Sequence, residues 1–385
     1  LDTAIRSLSE AGARSVPAAH VPRGAVLVAC IGSDIGKLAL AGTDAVINQQ
    51  LAGIVPRPPH DGLYLYYHLR ALRPVLRAAA GGSAQPHLGR ATLARLPIDL
   101  PPPAKQRAIS RVLGALDDKI ELNARLSAIL TEIAATRFHQ RFVAFDDYPE
   151  RVDSELGPIP PGFRVVRLGE LVTLDRGLSY RGDRLGAVGR PMIGLGEFTG
   201  RGLDAPRRYA GRHLARHLVA PGELLLAAGD LSQRRELLGT PLIVPDLASD
   251  AADPASPAPD DRRVLFSQHA YAVRLRATGP GWREFLYFAL QQPAFRTRAA
   301  AFATGTTVLA LPRDAVLNYA LAIPPEPLRI EFAAFARPLL DRIELARRQS
   351  RDLAQLRDHI LPGLIAGTRE PPEIDHSPTD FSPDP

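Results

Sequence analysis

Apolar residues recur at helical spacing along two long segments of the chain. From Ala104 to about Phe142 glycine and proline are absent apart from Gly114, and a matching pattern occupies residues 326–366. Pro338 falls inside the second pattern and predicts a kink or a late start there. Each segment predicts a helix of roughly 50 Å. Two matching apolar stripes favour packing of the two helices against each other as a coiled coil.

The stripe of the first helix predicts buried positions that shift in its second half. We expect the stripe residues to pack in the helix pair or to contact partners: Ile109, Leu113, Leu116, Ile120 and Leu126, with the shifted part through Leu122, Ile129 and Ile133, and on the second helix Leu339, Ile343, Leu353 and Leu356.

Shorter β-rich runs bounded by glycine or proline precede the first long helix. Val26–Cys30, Leu38–Ala41 and Ile47–Val55 predict strands, and Gly62–Ala80 predicts a helix with leucines at steps of four and three. Leu96–Leu100 predicts a last strand, which the following prolines end. The mixture predicts an α+β fold class.

The chain repeats itself. Residues 116–122 match 339–345 at an offset of 223, and Tyr66–Leu69 matches Tyr287–Leu290 at an offset of 221. Further upstream the offset falls to 198, because the proline- and aspartate-rich stretch 245–263 is inserted in the second copy. This insertion predicts a surface loop. The chain is therefore two copies of one α/β unit, each followed by a long helix.

The repeat gives the predicted domain boundaries. They are a first α/β domain at 1–103, a helix at 104–143, a linker at 144–161, a second α/β domain at 162–325, a helix at 326–366 and a disordered tail at 367–385. Aligning the copies places Leu1 opposite Thr199. We therefore expect the first domain to be N-terminally incomplete, without a counterpart of Phe163–Phe198.

The charge is unevenly distributed. The segments 144–161, 245–261 and 368–385 hold five acidic residues each, and the rest of the chain carries 45 basic against 26 acidic residues, a net charge of +19. A surface this positive fits phosphate backbones, although an arginine-rich proteome accounts for it equally well. The single cysteine, Cys30, excludes a disulfide framework. No apolar run approaches the length of a membrane span, and we expect a cytoplasmic protein.

The proline-rich turn and the first long helix carry a family resemblance. Residues 98–107, which contain three consecutive prolines and the pair Gln106-Arg107, lead into Leu-Asp-Asp-Lys-Ile-Glu-Leu-Asn at 116–123. This combination is similar to the conserved-region signature of type I restriction–modification specificity subunits. The second copy resembles the second conserved region of that family through 340–345 and 360–364, with Leu328-Arg329 in place of the glutamine–arginine pair. Residues 162–171 resemble the opening of a target-recognition domain.

The resemblance implies a division of labour. Each of two target-recognition domains would read one half of a bipartite sequence in double-stranded DNA. The two helices would form an antiparallel spacer that sets the half-site separation and docks two methyltransferase (M) subunits, and restriction/translocase (R) subunits would join through the complex. S-adenosylmethionine, ATP and Mg²⁺ would bind to those partners, and none to this chain. Asp118 and Asp341 are expected to serve helix packing or partner docking rather than the choice of DNA sequence.

Polar and arginine-rich loops are the candidates for DNA contact, since arginine and glutamine pair with base edges and serine and threonine with phosphates. The candidates are Lys37, Ser83, Gln85, Arg176, Ser179, Tyr180, Arg181, Arg184, Gln233, Arg234, Arg235, Thr306 and Thr307. The segment 48–50 (Asn-Gln-Gln) matches 267–269, but the repeat predicts that it lies inside a strand, which favours fold maintenance.

Motifs of catalysis are nearly absent from the sequence. The turn 32–37 is one residue short of a phosphate-binding loop, so a strand-end turn with a surface lysine is favoured. His213 and His217 stand four residues apart, but flanking arginines favour an exposed basic helix face over a metal site. The sequence therefore predicts a non-catalytic subunit. A helical assembly or tethering scaffold without sequence reading stays the alternative.

Overall fold

The computed structural model describes residues 7–81, 87–200, 207–232, 235–247, 262–306 and 308–372. The chain divides into two units, which we describe separately. Unit 1 consists of Leu1–Leu122 with Asp352–Pro385, and unit 2 of Asn123–Arg351.

Unit 1 contains a small antiparallel sheet followed by helices. Its elements are α1 (Glu10–Arg14), β1 (His20–Val21), β2 (Val26–Ala29), β3 (Leu38–Leu40), β4 (Ala45–Val46), β5 (Leu51–Ile54), α2 (Gly62–Ala71), α3 (Arg73–Ala78), α4 (Arg90–Ala94) and the first half of α5 (Pro103–Phe142). The sheet has the order β3-β2-β5, and β1 pairs with β4. Val26 and Val28 of β2 pack with Leu65 and Leu69 of α2 in the core of this unit.

Three predicted elements of unit 1 were wrong in extent or type. The strand predicted at Ile47–Val55 is shorter, because residues 49 and 50 form a turn and β5 begins at Leu51. The helix predicted at 62–80 is two helices, since Pro74 lies in the first turn of α3, where a missing N–H is tolerated. Residues 96–100 form no strand, and the carbonyl of Asp99 instead accepts the hydroxyl of Tyr64 at 3.1 Å.

Unit 2 has, in its described residues, a four-stranded sheet, a five-stranded sheet, two two-stranded sheets and more helices. Its elements are β6 (Arg164–Arg167), α6 (Leu168–Leu171), β7 (Val172–Arg176), β8 (Leu185–Gly186), β9 (Arg190–Ile193), β10 (Arg208–Tyr209), β11 (Leu218–Val219), β12 (Leu224–Ala227), β13 (Gly229–Asp230), β14 (Pro241–Ile243), β15 (Val264–Phe266), β16 (Ala270–Leu275), α7 (Trp282–Ala289), α8 (Pro293–Ala301), β17 (Leu309–Ala310), α9 (Arg313–Leu317), β18 (Ala320–Ile323) and most of α10 (Glu326–Ile365).

The central strand of unit 2 is buried on both faces. The four-stranded sheet has the order β14-β12-β16-β7, and the second, five-stranded sheet has the order β11-β15-β9-β10-β8 with β15 parallel to β9. The two-stranded sheets pair β13 with β17 and β18 with β6. In β12, Leu224 and Leu226 join a core with the helices, whereas Leu225 joins a core with Ile193 and Phe266 of the second sheet. Alternate residues of a strand point to opposite faces, so a run of consecutive leucines suits this strand.

The two long helices run antiparallel within each unit. In unit 2, Arg141 near the end of α5 donates to Glu331 near the start of α10 at 2.8 Å, and Asn123 donates to Ser350 at 3.3 Å. In unit 1, Lys105 at the start of α5 pairs with Glu370, just beyond the end of α10, at 2.8 Å.

The predicted buried stripes are right at the start of α5 and wrong further along. Ile109 and Leu113 are fully buried in a cluster with Leu361 and Leu364. Leu122, Ile129 and Ile133 are exposed, whereas Asn123, Ala134 and Phe138 are buried. The first stripe thus continues at steps of three and four without a shift. On α10 Ile343 is buried, Leu339 and Leu353 are half-buried, and Leu356 is exposed.

Two further expectations need correction. Helix α10 begins at Glu326 and runs through Pro338, whose ring is exposed, so a late start is wrong. The beginning of the insertion 245–263 is buried rather than on the surface. Asp246 is 6% exposed and pairs with Arg262, and its carbonyl accepts Nη2 of Arg351 at 3.3 Å. Residues 248–261 lie outside the described ranges.

Candidate nucleic-acid interface

In unit 2 several loops leave the sheet at one edge. Strand β7 ends at Arg176, β16 begins at Ala270, and Arg176 pairs with Tyr271 in the ladder. Strand β12 leads into β13 through Ala228. The N–H of Ala228 donates to the carbonyl of His269 at 2.7 Å, which places this junction at the same end of the sheet. The described parts of the loops next to these strand ends therefore lie at one edge of the sheet, namely 177–184, 231–232 with 235–237, and 267–269.

A glycine fixes the path of the first loop. Gly177 directly follows β7, and a Cβ atom there would lie 2.2 Å from the carbonyl oxygen of Ser267 and 2.5 Å from that of Phe266. The next N–H, of Leu178, donates to Phe266 at 2.8 Å. Since only glycine permits such an approach, the sequence itself brings the loop 177–184 against the turn 267–269.

A buried carboxylate organises the second loop. Asp230 is 1% exposed and accepts the backbone N–H groups of Ser232 at 2.7 Å and Leu237 at 3.0 Å. Burial alone would raise the pKa of Asp230, but these hydrogen bonds and the nearby Arg296 hold that pKa below its usual value. Arg235 adopts a positive φ of 58°. An ionised Asp230 therefore holds a loop with unusual backbone geometry at the edge.

The third loop is a hairpin beside β13. Strand β13 pairs with β17, and Thr304 exchanges two backbone hydrogen bonds with Ala310, at 2.9 and 2.7 Å. Between these two residues the chain turns at Gly305, which has a φ of 101°, and exposes Thr306. The turn containing Thr306 thus lies next to the loop that Asp230 holds.

Unit 1 builds the same edge with its own residues. The N–H of Cys30 donates to Gln50 at 2.8 Å and its carbonyl accepts Leu88 at 2.8 Å, as Ala228 does with His269 and Leu311 in unit 2. Gly81 exchanges two backbone hydrogen bonds with His87, as Thr304 does with Ala310. These matched pairs fall at the repeat offsets read from the sequence.

The candidate DNA residues fall into three groups. Ser179, Arg181, Arg184 and Thr306 are exposed on loops of unit 2, and Lys37 is exposed in unit 1 and pairs with Asp34. Other candidates are held by the protein: Arg176 donates from Nε to the carbonyl of Gln268 at 3.2 Å, Arg235 donates to Ala300 at 3.0 Å, and Tyr180 is half-buried with its ring 6.1 Å from that of Tyr209. The remaining candidates, Ser83, Gln85, Gln233, Arg234 and Thr307, lie outside the described residues.

Sequence reasoning missed the turn that joins the loops. Gln50 and His269 occupy equivalent positions in turns at the sheet edge, not inside strands as predicted. Burial and the charge of Arg176 lower the pKa of His269, so this imidazole is neutral at pH 7. The match between 48–50 and 267–269 was the signal available in the sequence. Because β5 begins only at Leu51, these residues lie in turns and become candidates for DNA contact.

His217 is also placed differently from the prediction. It lies in a short 3₁₀ turn, Ala215–His217, and is 8% exposed, so an exposed helix face is wrong. Its Nδ1 faces the N–H of Leu214 at 3.3 Å. Among the described residues no group of three or more His, Cys, Asp or Glu side chains could hold a metal ion.

The long helices expose apolar residues at matched positions of the repeat. Leu122 and its equivalent Leu345 are 57% and 48% exposed, and Ile133 and its equivalent Leu356 are 45% and 48% exposed. Each long helix therefore exposes a leucine or isoleucine at the same two positions of the repeat, which distinguishes these four residues from singly scattered surface residues.

Asp118 and Asp341, two further repeat partners, line matched grooves. In unit 1 a groove of 570 Å³ runs between Leu63 of α2, Gly114 and Asp118. In unit 2 a groove of 500 Å³ is lined at the equivalent positions by Glu284, Arg337 and Asp341. Both aspartates are exposed, so they face solvent and not the contact between the two helices.

Comparison with known proteins identifies the relatives of the chain. Residues 6–132 match the model of the type I restriction modification DNA specificity domain. The type I restriction enzyme MjaIX specificity subunit of Methanocaldococcus jannaschii is 24% identical over 378 residues, 94% of this chain and 81% of the relative. This chain is thus similar to type I restriction enzyme specificity subunits. The MjaVIII specificity subunit of the same organism is 20% identical over 352 residues, 89% of this chain and 78% of the relative.

The fold agrees with this relationship. The chain is similar to the crystal structure of a type I restriction–modification S subunit from M. genitalium, with a TM-score of 0.51 and 16% identity over 92% of this chain and 84% of that one. The mixed helix-and-sheet architecture predicted from the sequence is confirmed. Within the described ranges, no helix is both long and apolar enough to cross a membrane.

Proposed function

We propose that this chain is the DNA sequence-specificity subunit of a type I restriction–modification complex, and that each α/β domain reads one half of a bipartite site. The observation that carries the proposal is the repeated sheet edge. The bonds made by Cys30, Gln50 and Leu88 in unit 1 recur with Ala228, His269 and Leu311 in unit 2. Two α/β domains with equivalent sheet edges on one chain suit a DNA site that consists of two half-sequences.

The side chains at the edge have the chemistry of DNA contact. In unit 2 exposed arginines on the loop 177–184 supply positive charge for phosphates, and Gln268 and His269 offer polar atoms for base edges. In unit 1 Gln50 takes the place of His269. Different residues on equivalent turns would give the two halves of the site different sequences, so the site need not be a palindrome.

The long helices would serve as an antiparallel coiled-coil spacer that fixes the distance between half-sites. Antiparallel pairing of α5 with α10 in each unit supports this role, because a rigid helix pair imposes a spacing as dimeric readers do. The matched exposed residues, Leu122 with Leu345 and Ile133 with Leu356, support docking of two copies of one partner. We infer that these partners are methyltransferase subunits.

The chemistry of the complex would belong to its partners. We propose that S-adenosylmethionine binds to the methyltransferase subunits, that ATP and Mg²⁺ bind to restriction/translocase subunits, and that this chain is not itself an enzyme. The residues at the sheet edge are suited to binding rather than to nucleophilic or metal-assisted catalysis.

The test is selection of DNA by the purified complex of this chain with its methyltransferase. Duplexes with random sequence are sorted by binding at several salt concentrations, and the bound fraction is sequenced. We expect one split sequence with a fixed gap, bound about 10³-fold or more tighter than random duplex at physiological salt. Equal affinity for all duplexes would contradict sequence reading and leave the tethering scaffold as the function.

A further inference from the structure

A partly buried charged group joins α2, α5 and α10 in unit 1. Tyr67 has no exposed surface, and its hydroxyl donates to Oδ2 of Asp117 at 2.6 Å. The other carboxylate oxygen of Asp117 accepts Nη1 of Arg357, whose side chain is 9% exposed. Arg357 also donates to Asp358 at 2.9 Å, and Asp358 accepts Arg70 of α2 at 3.1 Å. In unit 1 the two long helices therefore meet through an ion pair.

The equivalent group of unit 2 is entirely apolar. The repeat offsets place Phe288, Leu340 and Ala134 where unit 1 has Tyr67, Asp117 and Arg357, respectively. Phe288 and Ala134 have no exposed surface in the main core of unit 2, and the half-buried Leu340 packs against that core. Apolar side chains therefore fill this position of the fold, and packing alone does not require the charged group.

The repeat would allow each long helix to pair with the wrong helix, and the charged group of unit 1 distinguishes the right pairing from the wrong one. Because α5 and α10 occupy equivalent places in the two copies, each could pair with the same helix of a second chain. In an α5–α5 pair of unchanged register Asp117 would face Ala134, and in an α10–α10 pair Arg357 would face Leu340. Each such pair breaks the ion pair between Asp117 and Arg357. It leaves the half-buried carboxylate of Asp117 without a cation, or the buried guanidinium of Arg357 with Asp358 alone, and both are unfavourable.

We propose that Asp117 and Arg357 select the partner of each long helix, so that α5 pairs with α10 and not with its own kind in a second copy of the chain. A buried polar residue specifies partner and register in coiled coils at a cost in stability. Tyr67 supports the selection by binding the second oxygen of the carboxylate. The proposal concerns helix pairing and stands whether or not the chain reads DNA.

The test exchanges one charge in each of two full-length chains. Asp117→Arg places two arginines opposite each other within a chain, and Arg357→Asp places two aspartates opposite each other. In a mixed complex, α5 of each variant can pair with α10 of the other variant. The introduced Arg at 117 then faces the introduced Asp at 357, and the native Asp117 faces the native Arg357. When the two variants are co-expressed with different affinity tags, we expect them to co-purify about tenfold or more over either variant with a tagged copy of itself.

Light scattering should give the mass of two chains for this mixed complex. A single chain carrying both exchanges keeps a complementary pair and should be monomeric, as the wild type should. Equal co-purification of matched and mismatched chains would overturn the proposal. Failure of the co-expressed variants to yield soluble protein would overturn it too, because the swapped arrangement restores both pairs.

A second variant copies residues that the fold already accommodates. The triple change Tyr67→Phe, Asp117→Leu and Arg357→Ala gives unit 1 the apolar group of unit 2. In a background with Cys30→Ser, the added change Leu126→Cys detects pairing of α5 with α5 of a second copy. In such a pair position 126 lies beside position 125 of the second copy, so the two introduced cysteines are close enough to form a disulfide. We expect about tenfold more intermolecular disulfide than with Leu126→Cys alone. No increase in the folded triple variant would count against selection by this group.

Discussion

The side-chain oxygen of Gln106 accepts a hydrogen bond from the backbone N–H of Asp61 at 3.0 Å. Gln106 has no exposed surface, and its Nε2 also donates to the carbonyl of Pro101 at 2.7 Å and lies 3.2 Å from Nδ1 of His60. Asp61 in turn caps α2, since its carboxylate accepts the N–H of Tyr64 at 2.9 Å. The first turn of α5 is thereby fastened to the start of α2.

The second copy makes the same connection with different chemistry. At the repeat offset of 223, Arg329 corresponds to Gln106 and Ile330 to Arg107, one residue later than the pair Leu328-Arg329. Arg329 is 4% exposed and donates from Nε to the carbonyl of Pro280 at 3.2 Å. Its guanidinium carbon lies 3.8 Å from the ring centre of Trp282, the first residue of α7. The missing glutamine–arginine pair of the second copy is therefore replaced by an arginine anchor.

Gln106→Ala should lower the free energy of unfolding by about 1–3 kcal/mol, because it leaves the N–H of Asp61 without its acceptor. Denaturant unfolding of the purified chain measures this loss. Arg107→Ala is the matched control, since Arg107 is exposed on the same turn, and its effect should stay within about 0.5 kcal/mol. Equal effects of both changes would contradict the anchoring role.

Asp230→Ala should loosen the loop at Ser232 and Leu237 of unit 2, because the backbone N–H groups of these two residues lose the buried carboxylate that accepts them. We expect a loss of about 1–3 kcal/mol of stability and weaker binding of DNA by the complex. Hydrogen exchange of the Ser232 and Leu237 amides measures the local effect. Asp183→Ala, on an exposed loop of the same unit, should leave both amides protected as in the wild type.

Arg176→Ala should weaken binding of the bipartite site by about 1–3 kcal/mol, because Arg176 is an exposed candidate for DNA contact at the sheet edge and donates to the carbonyl of Gln268 in the adjacent turn. The loss of sequence preference should fall on one half-site, the one read by unit 2. Binding to duplexes with single substitutions in each half locates the change. Arg347→Ala on the exposed surface of α10 is the control, and relaxation of both half-sites would argue against separate readers.

The chain should be less stable at mildly acidic pH than at neutral pH. Burial lowers the pKa of His68, of His217 and of His269 in the folded state. The unfolded chain therefore binds more protons once the pH falls below about 6.5, and the free energy of unfolding decreases through that range. Denaturant unfolding at about pH 7.5 and about pH 5.5 measures the difference.

His217→Gln should reduce this pH dependence, whereas His359→Gln, at an exposed position of α10, should not. Identical stability of the wild type at both pH values would contradict the prediction.

Leu345→Asp should weaken binding of the methyltransferase subunit without unfolding the chain, because Leu345 is already 48% exposed. We expect a loss of about tenfold or more, typical of a charge placed in an apolar contact. Titration calorimetry or co-purification with the subunit measures it. Leu122→Asp changes the equivalent position and should affect the second bound copy. Unchanged binding of two subunits by both variants would place docking elsewhere.

The sequence by itself determined the repeat, the two long helices and the family resemblance. Each of these depends on patterns along the chain: fixed offsets, apolar steps of three and four, and the segment around Gln106 and Leu116–Asn123. They hold whatever the helices pack against. The α+β class followed for the same reason, although the strand predicted at residues 96–100 was wrong.

Only the tertiary structure decided which side of each helix is buried and which loops meet. The apolar pattern of α5 predicted a shifted stripe in its second half, whereas contact with α10 buried Asn123 and Ala134 rather than Ile129 and Ile133. Gln50 and His269 became candidates when the sheet placed their turns at its edge. A periodic pattern records how a chain can fold locally, whereas burial and proximity depend on distant residues that supply the other half of each contact.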